Sequence, residues 1–252
     1  MRRRNSGQVL IITSLVVVML LLSTVIYVNE VERDSPVFAV DATAGVSAFQ
    51  QGAVHTVVSA LVNVSNGGDP SVLSGDLAQF EAAVEGHTYS SISDLSWTLC
   101  DSFPYVNGIW VFCGDDGFGV SSMAADFVLN SSSSSGSYCS EFLVNVTSSV
   151  VLSGSWVSSG DSSGLVSLSV GVSDDGCPAL ASSLSFFYDQ GGFGGGGWVS
   201  ALPTVTDYGN GTYGVSFVAQ NVSPGGLPVS LGLVDDRGVC VWANATLSEG
   251  LF

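Results

Sequence analysis

Asp207-Tyr-Gly-Asn-Gly-Thr-Tyr-Gly-Val-Ser-Phe-Val218 says more about the fold than any other stretch of the chain. Gly209, Asn210 and Gly211 are turn residues. Beyond them Tyr213, Val215 and Phe217 alternate with Gly214 and Ser216. Period-two alternation puts one set on a buried sheet face and the other outward, so Thr212–Gln220 reads as a half-buried strand. The same pattern recurs at Phe142–Thr147, Val150–Val157, Leu165–Val172, Ser182–Tyr188, Trp198–Val205, Pro228–Val234 and Gly238–Ala245. Seven or eight short strands with frequent turns over about 110 residues are the pattern of a β-sandwich.

Upstream the period changes. From Ala42 to Asn63, Phe49, Ala53, Val57 and Leu61 recur every fourth residue, which predicts an amphipathic helix that the NVSNGGDPS turn ends. A second helix is expected from Val72 to Glu85, with Gly86 as its stop. Leu95–Leu99, Gly108–Cys113 and Ala124–Leu129 then read as strands, the first two forming a hairpin. The Asn130–Gly136 run is five serines between Asn and Gly, and low complexity predicts a linker there.

The chain has 252 residues with 22 acids and 5 cations, a formal charge of −17. All five cations are Arg, and from Gln8 onward only Arg33 and Arg237 oppose the 22 acids, a balance of −20. Such a body repels phosphate backbones, so no nucleic-acid partner is expected. Charged residues are 11% of the chain, against about a quarter in ordinary globular domains, which argues against a cytosolic protein. Val9–Val28 is an uncharged run of 20 residues preceded by Arg2, Arg3 and Arg4. As a helix it spans roughly 30 Å, the thickness of a bilayer core. The Arg cluster places the amino terminus inside and the remainder outside the cell. The run is longer than the apolar part of a secretory signal and lacks a small-x-small cleavage site.

Two resemblances add to this reading. The start RRRNSGQ followed at once by the apolar run resembles the class III signal peptide of archaeal type IV pilin-like proteins, over about the first 30 residues. That resemblance implies cleavage between Gly7 and Gln8 by a prepilin peptidase. The pattern departs at Ser6, where a base is usual, and in lacking an early Glu. An uncleaved type II membrane anchor is the other reading. The Asp207–Val218 stretch resembles the D-x-G-N-G-T-Y-x-V-x-F pattern of bacterial and archaeal immunoglobulin-like modules, over roughly Glu141–Leu247. It implies that Tyr213 is a corner tyrosine whose hydroxyl bonds to upstream backbone.

The expected fold class is therefore α+β: an N-terminal transmembrane or pilin-like helix, a small helical plus β segment, and a C-terminal Ig-like β-sandwich. The expected divisions are a basic leader at 1–8, the helix at 9–28, a membrane-proximal region at 36–129, a Ser-rich linker at 130–138 and the sandwich at 139–252.

On an exported body the five cysteines are expected to pair. Cys100 with Cys113 and Cys177 with Cys240 are the first choices, leaving Cys139 over; other pairings stay open. No C-x-x-C spacing supports zinc or redox chemistry. Six of the ten Asn residues open an N-x-Ser/Thr sequon: Asn63, Asn130, Asn145, Asn210, Asn221 and Asn244, the expected glycosylation sites of a surface glycoprotein. Gly160-Asp-Ser162-Ser-Gly164 fits G-x-S-x-G, but strands rather than a strand and a helix flank it, so it reads as a turn. Gly192–Gly197 fits G-x-G-x-x-G without the following helix. The pairs Asp115-Asp116, Asp174-Asp175 and Asp235-Asp236 read as turns, lacking the spacing of a calcium loop.

No catalytic set, metal site or cofactor emerges. The functional expectation is a non-enzymatic protein of the cell membrane or a surface filament, its body extracellular, acting in assembly or adhesion. The membrane and pilus or surface-layer subunits, reached by self-assembly through the N-terminal helix, are the expected partners. The alternative is a membrane-anchored carbohydrate- or ligand-binding module with Trp156, Trp198 and Trp242 as stacking platforms.

Overall fold

The computed structural model describes residues 42–86, 92–133, 136–160, 162–191, 197–222 and 226–250. The chain divides into two compact units, Met1–Phe49 and Gln50–Phe252. Only 42–49 of the first are described, and the architecture is that of the second.

Helix α1 (Ala42–Ser65) crosses that boundary. Its Ala53, Val57, Ala60 and Leu61 are buried at helical spacing. The helix stops where Gly67 takes φ +92° and the Gly68 amide bonds the Asn63 carbonyl at 2.9 Å. Asp69 Oδ1 accepts the Ser71 amide at 2.8 Å just ahead of α2 (Val72–Gly86), which buries Leu73 and Leu77.

The strands are β1 (Ile92–Leu99), β2 (Ile109–Cys113), β3 (Phe118–Ser133), β4 (Gly136–Gly160), β5 (Ser163–Asp174), β6 (Cys177–Pro178), β7 (Ala181–Asp189), β8 (Trp198–Ser200), β9 (Thr204–Asp207), β10 (Thr212–Gln220), β11 (Leu227–Asp235) and β12 (Cys240–Glu249). They form one 12-stranded sheet whose main path runs β8-β7-β11-β12-β4-β5-β10-β9. Strand β3 pairs with the first part of β4 and carries both β1 and β2 on its other edge. Every pairing is antiparallel except a two-residue parallel contact, Ser248 with Ser155 and Glu249 with Trp156, which joins β12 to β4.

The sheet curls so that its two halves enclose a core. Alternate residues point inward: Val166, Leu168, Val170 and Val172 from β5, Val215 and Phe217 from β10, Leu231 and Leu233 from β11, and Val241 and Ala243 from β12 are all buried. Tyr188 of β7 stacks on Phe217 of β10 with ring centroids 5.8 Å apart, closing the core between the halves.

The α+β expectation is corrected. Among the described residues the body is predominantly β with two helices, and the regions expected as a separate membrane-proximal segment and a separate sandwich share one sheet. The described part of the Ser-rich run is not a linker: it continues β3 against β4, where Ser131 pairs Tyr138, Ser132 pairs Ser137 and Ser133 pairs Gly136. A backbone ladder needs no apolar side chain, so serines extend a hairpin whose buried part lies further back. The β1–β2 hairpin is likewise corrected, since both strands pair with β3 and not with each other. Among the described residues no helix is long and apolar enough to cross a membrane. The Val9–Val28 run, Arg2–Arg4, Gly7 and Gln8 lie outside the described residues.

The stretch around Tyr213 shows why its residues matter. Asp207 Oδ1 accepts the Gly209 amide at 2.7 Å and Asn210 Oδ1 accepts the Thr212 amide at 3.1 Å. Gly211 takes φ +77°, and a Cβ there would lie 2.8 Å from the Val172 carbonyl oxygen, so only glycine fits. The buried Tyr213 hydroxyl accepts the Ala181 amide at 2.7 Å, tying β10 to the start of β7. Tyr213→Phe removes that acceptor from a part-buried amide and is expected to cost about 1–3 kcal/mol. Urea midpoints should fall while the far-ultraviolet circular dichroism stays unchanged.

Candidate functional site

Arg237 is the cation around which the acidic turns gather. Its Nε lies 3.0 Å from Asp235 Oδ2, Nη2 lies 3.0 Å from Asp174 Oδ1, and Nη1 lies 3.1 Å from Asp175 Oδ2. Nη2 also donates to the Thr147 carbonyl at 3.0 Å. Asp235 is fully buried, and its Oδ1 accepts the amides of Arg237 and Val239 at 2.9 and 2.8 Å. Asp174, Asp175 and Asp235, three carboxylates from two of the three Asp pairs, thus serve an ion-paired network that joins the β5–β6 and β11–β12 turns. Burial works against the Arg237 charge, but the Asp235 bond and the neighbouring carboxylates outweigh it and raise its pKa. Burial pushes the Asp174 carboxyl up; Arg237 opposes this, while Asp235 and Asp175 add to it. The third pair is separate: Asp116 Oδ1 accepts the Phe118 amide at 3.2 Å in a turn. Among the described residues no group of three or more His, Cys, Asp or Glu side chains is placed to hold a metal ion.

The disulfide expectation is corrected, because all five cysteines are free thiols. The Cys100 amide bonds the Ala124 carbonyl, while Cys113 sits opposite Gly119. Five residues along β3 separate those partners by about 17 Å, far beyond the reach of an S–S bridge. Cys177 is exposed on β6 opposite Asp174, and Cys240 is half-buried with its amide on Ser65 Oγ at 3.0 Å. Cys139 lies exposed opposite Asn130. Burial raises the thiol pKa of both Cys113 and Cys240; Asp115 adds to the first, and a hydrogen bond with Trp242 opposes the second. A raised pKa leaves less of each group as thiolate, the nucleophilic form.

The sequons fall at different depths. Asn63, Asn145, Asn210 and Asn221 are exposed, and Asn130 and Asn244 are half-exposed on strands. Asn145 Oδ1 accepts the Tyr105 and Thr147 hydroxyls at 3.0 and 3.1 Å. Ser162, at φ +59°, is exposed in the β4–β5 turn with strands on both sides. Glycines 192–196 lie outside the described residues. Of the three tryptophans expected as platforms, Trp156 is 3% exposed and belongs to the core. Trp198 and Trp242 are exposed at 53% and 44%.

Sequence patterning gave no sign of a second surface, the loop between β1 and β2. It is held rigidly. The Gly108 amide bonds the Cys100 carbonyl at 2.8 Å, the Ala124 amide bonds the Gly108 carbonyl at 2.8 Å, and the Tyr105 hydroxyl meets Ser122 Oγ at 2.8 Å. Gly108 has φ +76°, and a Cβ there would press on the Ala124 carbonyl oxygen at 2.8 Å. On this frame Phe103 is 98% exposed and Val106 67% exposed. Beside them a groove of about 730 Å³ opens between the loop and the start of α2, lined by Pro70, Leu99, Pro104, Ile109 and Trp110 among others, with no charged side chain. The exposed aromatic at position 103 is visible in the sequence, but its outward aim follows only from the loop's hydrogen bonds.

Arg237→Met leaves Asp235 buried without its counter-charge and is expected to cost about 3–5 kcal/mol, read as a loss of urea midpoint. Asp174 gives a pH test. Its raised pKa means the folded state holds the proton more tightly, so its contribution to stability falls as pH rises from the usual 3.8 through the raised value. The stability difference, wild type minus Asp174→Asn, should therefore decline across that window in urea melts; a rise would refute it. The chain matches no family model, no curated protein and no solved structure, so function rests on the geometry above.

Proposed function

We propose that this is an exported, non-enzymatic cell-surface glycoprotein that acts by assembly or adhesion. The observation that carries the reading is the rigid β1–β2 loop, which presents Phe103 and Val106 to solvent beside an uncharged apolar groove. Exposed apolar patches of this kind mark contact surfaces. The chain carries a formal charge of −17, with the Arg237 charge consumed by three carboxylates. Contact with another acidic surface subunit is therefore least opposed at this neutral patch. Pilus or surface-layer subunits and the membrane are the partners this reading names. The six sequons support an extracellular address.

The ligand-binding reading keeps one observation in its favour: Trp198 and Trp242 are both exposed on the half of the sheet built from β7, β8, β11 and β12. It loses Trp156.

The test is a Phe103→Ser, Val106→Ser variant in the producing cell. The wild-type protein should be labelled by a membrane-impermeant reagent on intact cells. The variant should reach the surface in equal amount yet lose cell–cell adhesion or filaments in electron micrographs. Label confined to lysed cells, or unchanged adhesion and filaments in the variant, would overturn the reading.

A further inference from the structure

Trp242, Asn244 and Thr246 occupy alternate positions of β12, and the residues that alternate with them, Val241, Ala243, Ala245 and Leu247, are buried in the core. The first three therefore share the outer face of the sheet. The Trp242 indole lies flat on its cross-strand neighbour Gly232, where a Cβ would come within 2.9–3.1 Å of three ring atoms. Its other neighbour is Phe187 of β7, stacked at 6.1 Å between centroids and 30° between planes. Asn244 pairs Ser230 and Ser230 pairs Phe187, so a row of three side chains crosses three strands immediately beside the Trp242 ring. On the far side of that row Trp198, Pro228, Thr246 and Asp115 line a depression of about 70 Å³ that reaches Asn244. Asn244 is thus flanked by aromatic surface on both sides, with only small Ser230 between it and Phe187.

We propose that Asn244 carries an N-linked glycan whose first sugar lies on the Trp242–Phe187 shelf. The proposal rests on the surface-glycoprotein reading and selects one of its six sequons. The modifying reaction takes a lipid-phosphate-linked oligosaccharide as donor. Asn244 Nδ2 forms a bond to the anomeric carbon, the bond from that carbon to the lipid phosphate oxygen breaks, and the phosphate leaves with the electron pair. The amide proton passes to a base of the transferring enzyme, and nothing is oxidised or reduced. A pyranose ring has one face of C–H groups and hydroxyls at its rim. That face covers exposed aromatic carbon while the rim stays in water, which suits an amphipathic ligand on an aromatic platform. The shelf supplies such carbon at Trp242, which the protein itself leaves 44% exposed. Two of the other sequons are placed differently. Asn210 sits in a turn with its carboxamide on the Thr212 amide, and the residue two before Asn145 on its strand is Leu143.

Two measurements test it on protein isolated from its producing cell. Glycopeptide mass spectrometry is expected to find Asn244 modified. Asn244 bare in material glycosylated elsewhere overturns the proposal and leaves the glycoprotein reading standing; all six sequons bare overturns both. The second measurement is a cycle of melting temperatures. Asn244→Gln should lower Tm by about 2–4 °C in the native background and by much less in Trp242→Ala, because the shelf is gone. An equal drop in both backgrounds shows a glycan that does not touch the shelf and overturns the contact.

Discussion

Arg237 holds together turns that the chain separates by more than sixty residues. Its guanidinium presents a rigid fork of donors, and here the fork reaches Asp174 and Asp175 at the end of β5 and Asp235 at the end of β11. Asp235 has no exposure to water, so its charge is tolerable only with that partner and the two amides that donate to it. The carbonyl of Thr147 on β4 completes the set. One cation thus fastens both halves of the curled sheet at the same end. In a body with so few positive charges no other guanidinium or ammonium among the described residues could replace it.

With that end fixed and Tyr213 tying β10 to β7, the alternation along each strand decides what water sees. The inward set fills the core. The outward set is rich in Ser and Thr, which keeps the body solvated, but large apolar groups such as Leu143, Val151, Leu165 and Val218 also reach solvent. Phe103 and Val106 on the β1–β2 loop, and Trp198 and Trp242 on the outer face, are large apolar groups left in solvent by a fold that buries most others. The loop is held because its Gly108 amide bonds the Cys100 carbonyl and its Gly108 carbonyl accepts the Ala124 amide of β3. The face is rigid because Gly232 gives the Trp242 ring a flat bed.

Much of this was legible residue by residue. The strand Thr212–Gln220 has the expected bounds, and both helices start and stop within a few residues of the expected positions. The turn chemistry at Asp207–Gly211 was also readable, because Asx bonds and positive φ are local requirements. Pairing was not readable. Nothing in Leu95–Leu99 and Gly108–Cys113 says that both lie on β3, and this single fact separates Cys100 from Cys113. Nor does a serine run announce a ladder, because its backbone bonds owe nothing to side-chain polarity. Trp156 and Trp242 look alike as letters; they differ because one faces the core and the other faces out.

The order of amino acids alone dictated the strand-rich composition, the acidic surface, the periods of the elements and the turn residues between them. These are properties of neighbours within a few positions, set by backbone sterics and side-chain alternation. The rest came from tertiary structure. It merged the expected segments into one sheet, left the five thiols unpaired, and gathered Asp174, Asp175 and Asp235 on Arg237. It also chose which tryptophans and which sequons share a face. Those outcomes depend on strand order and register, which are fixed by burying one face of many strands at once and cannot be read from any single stretch.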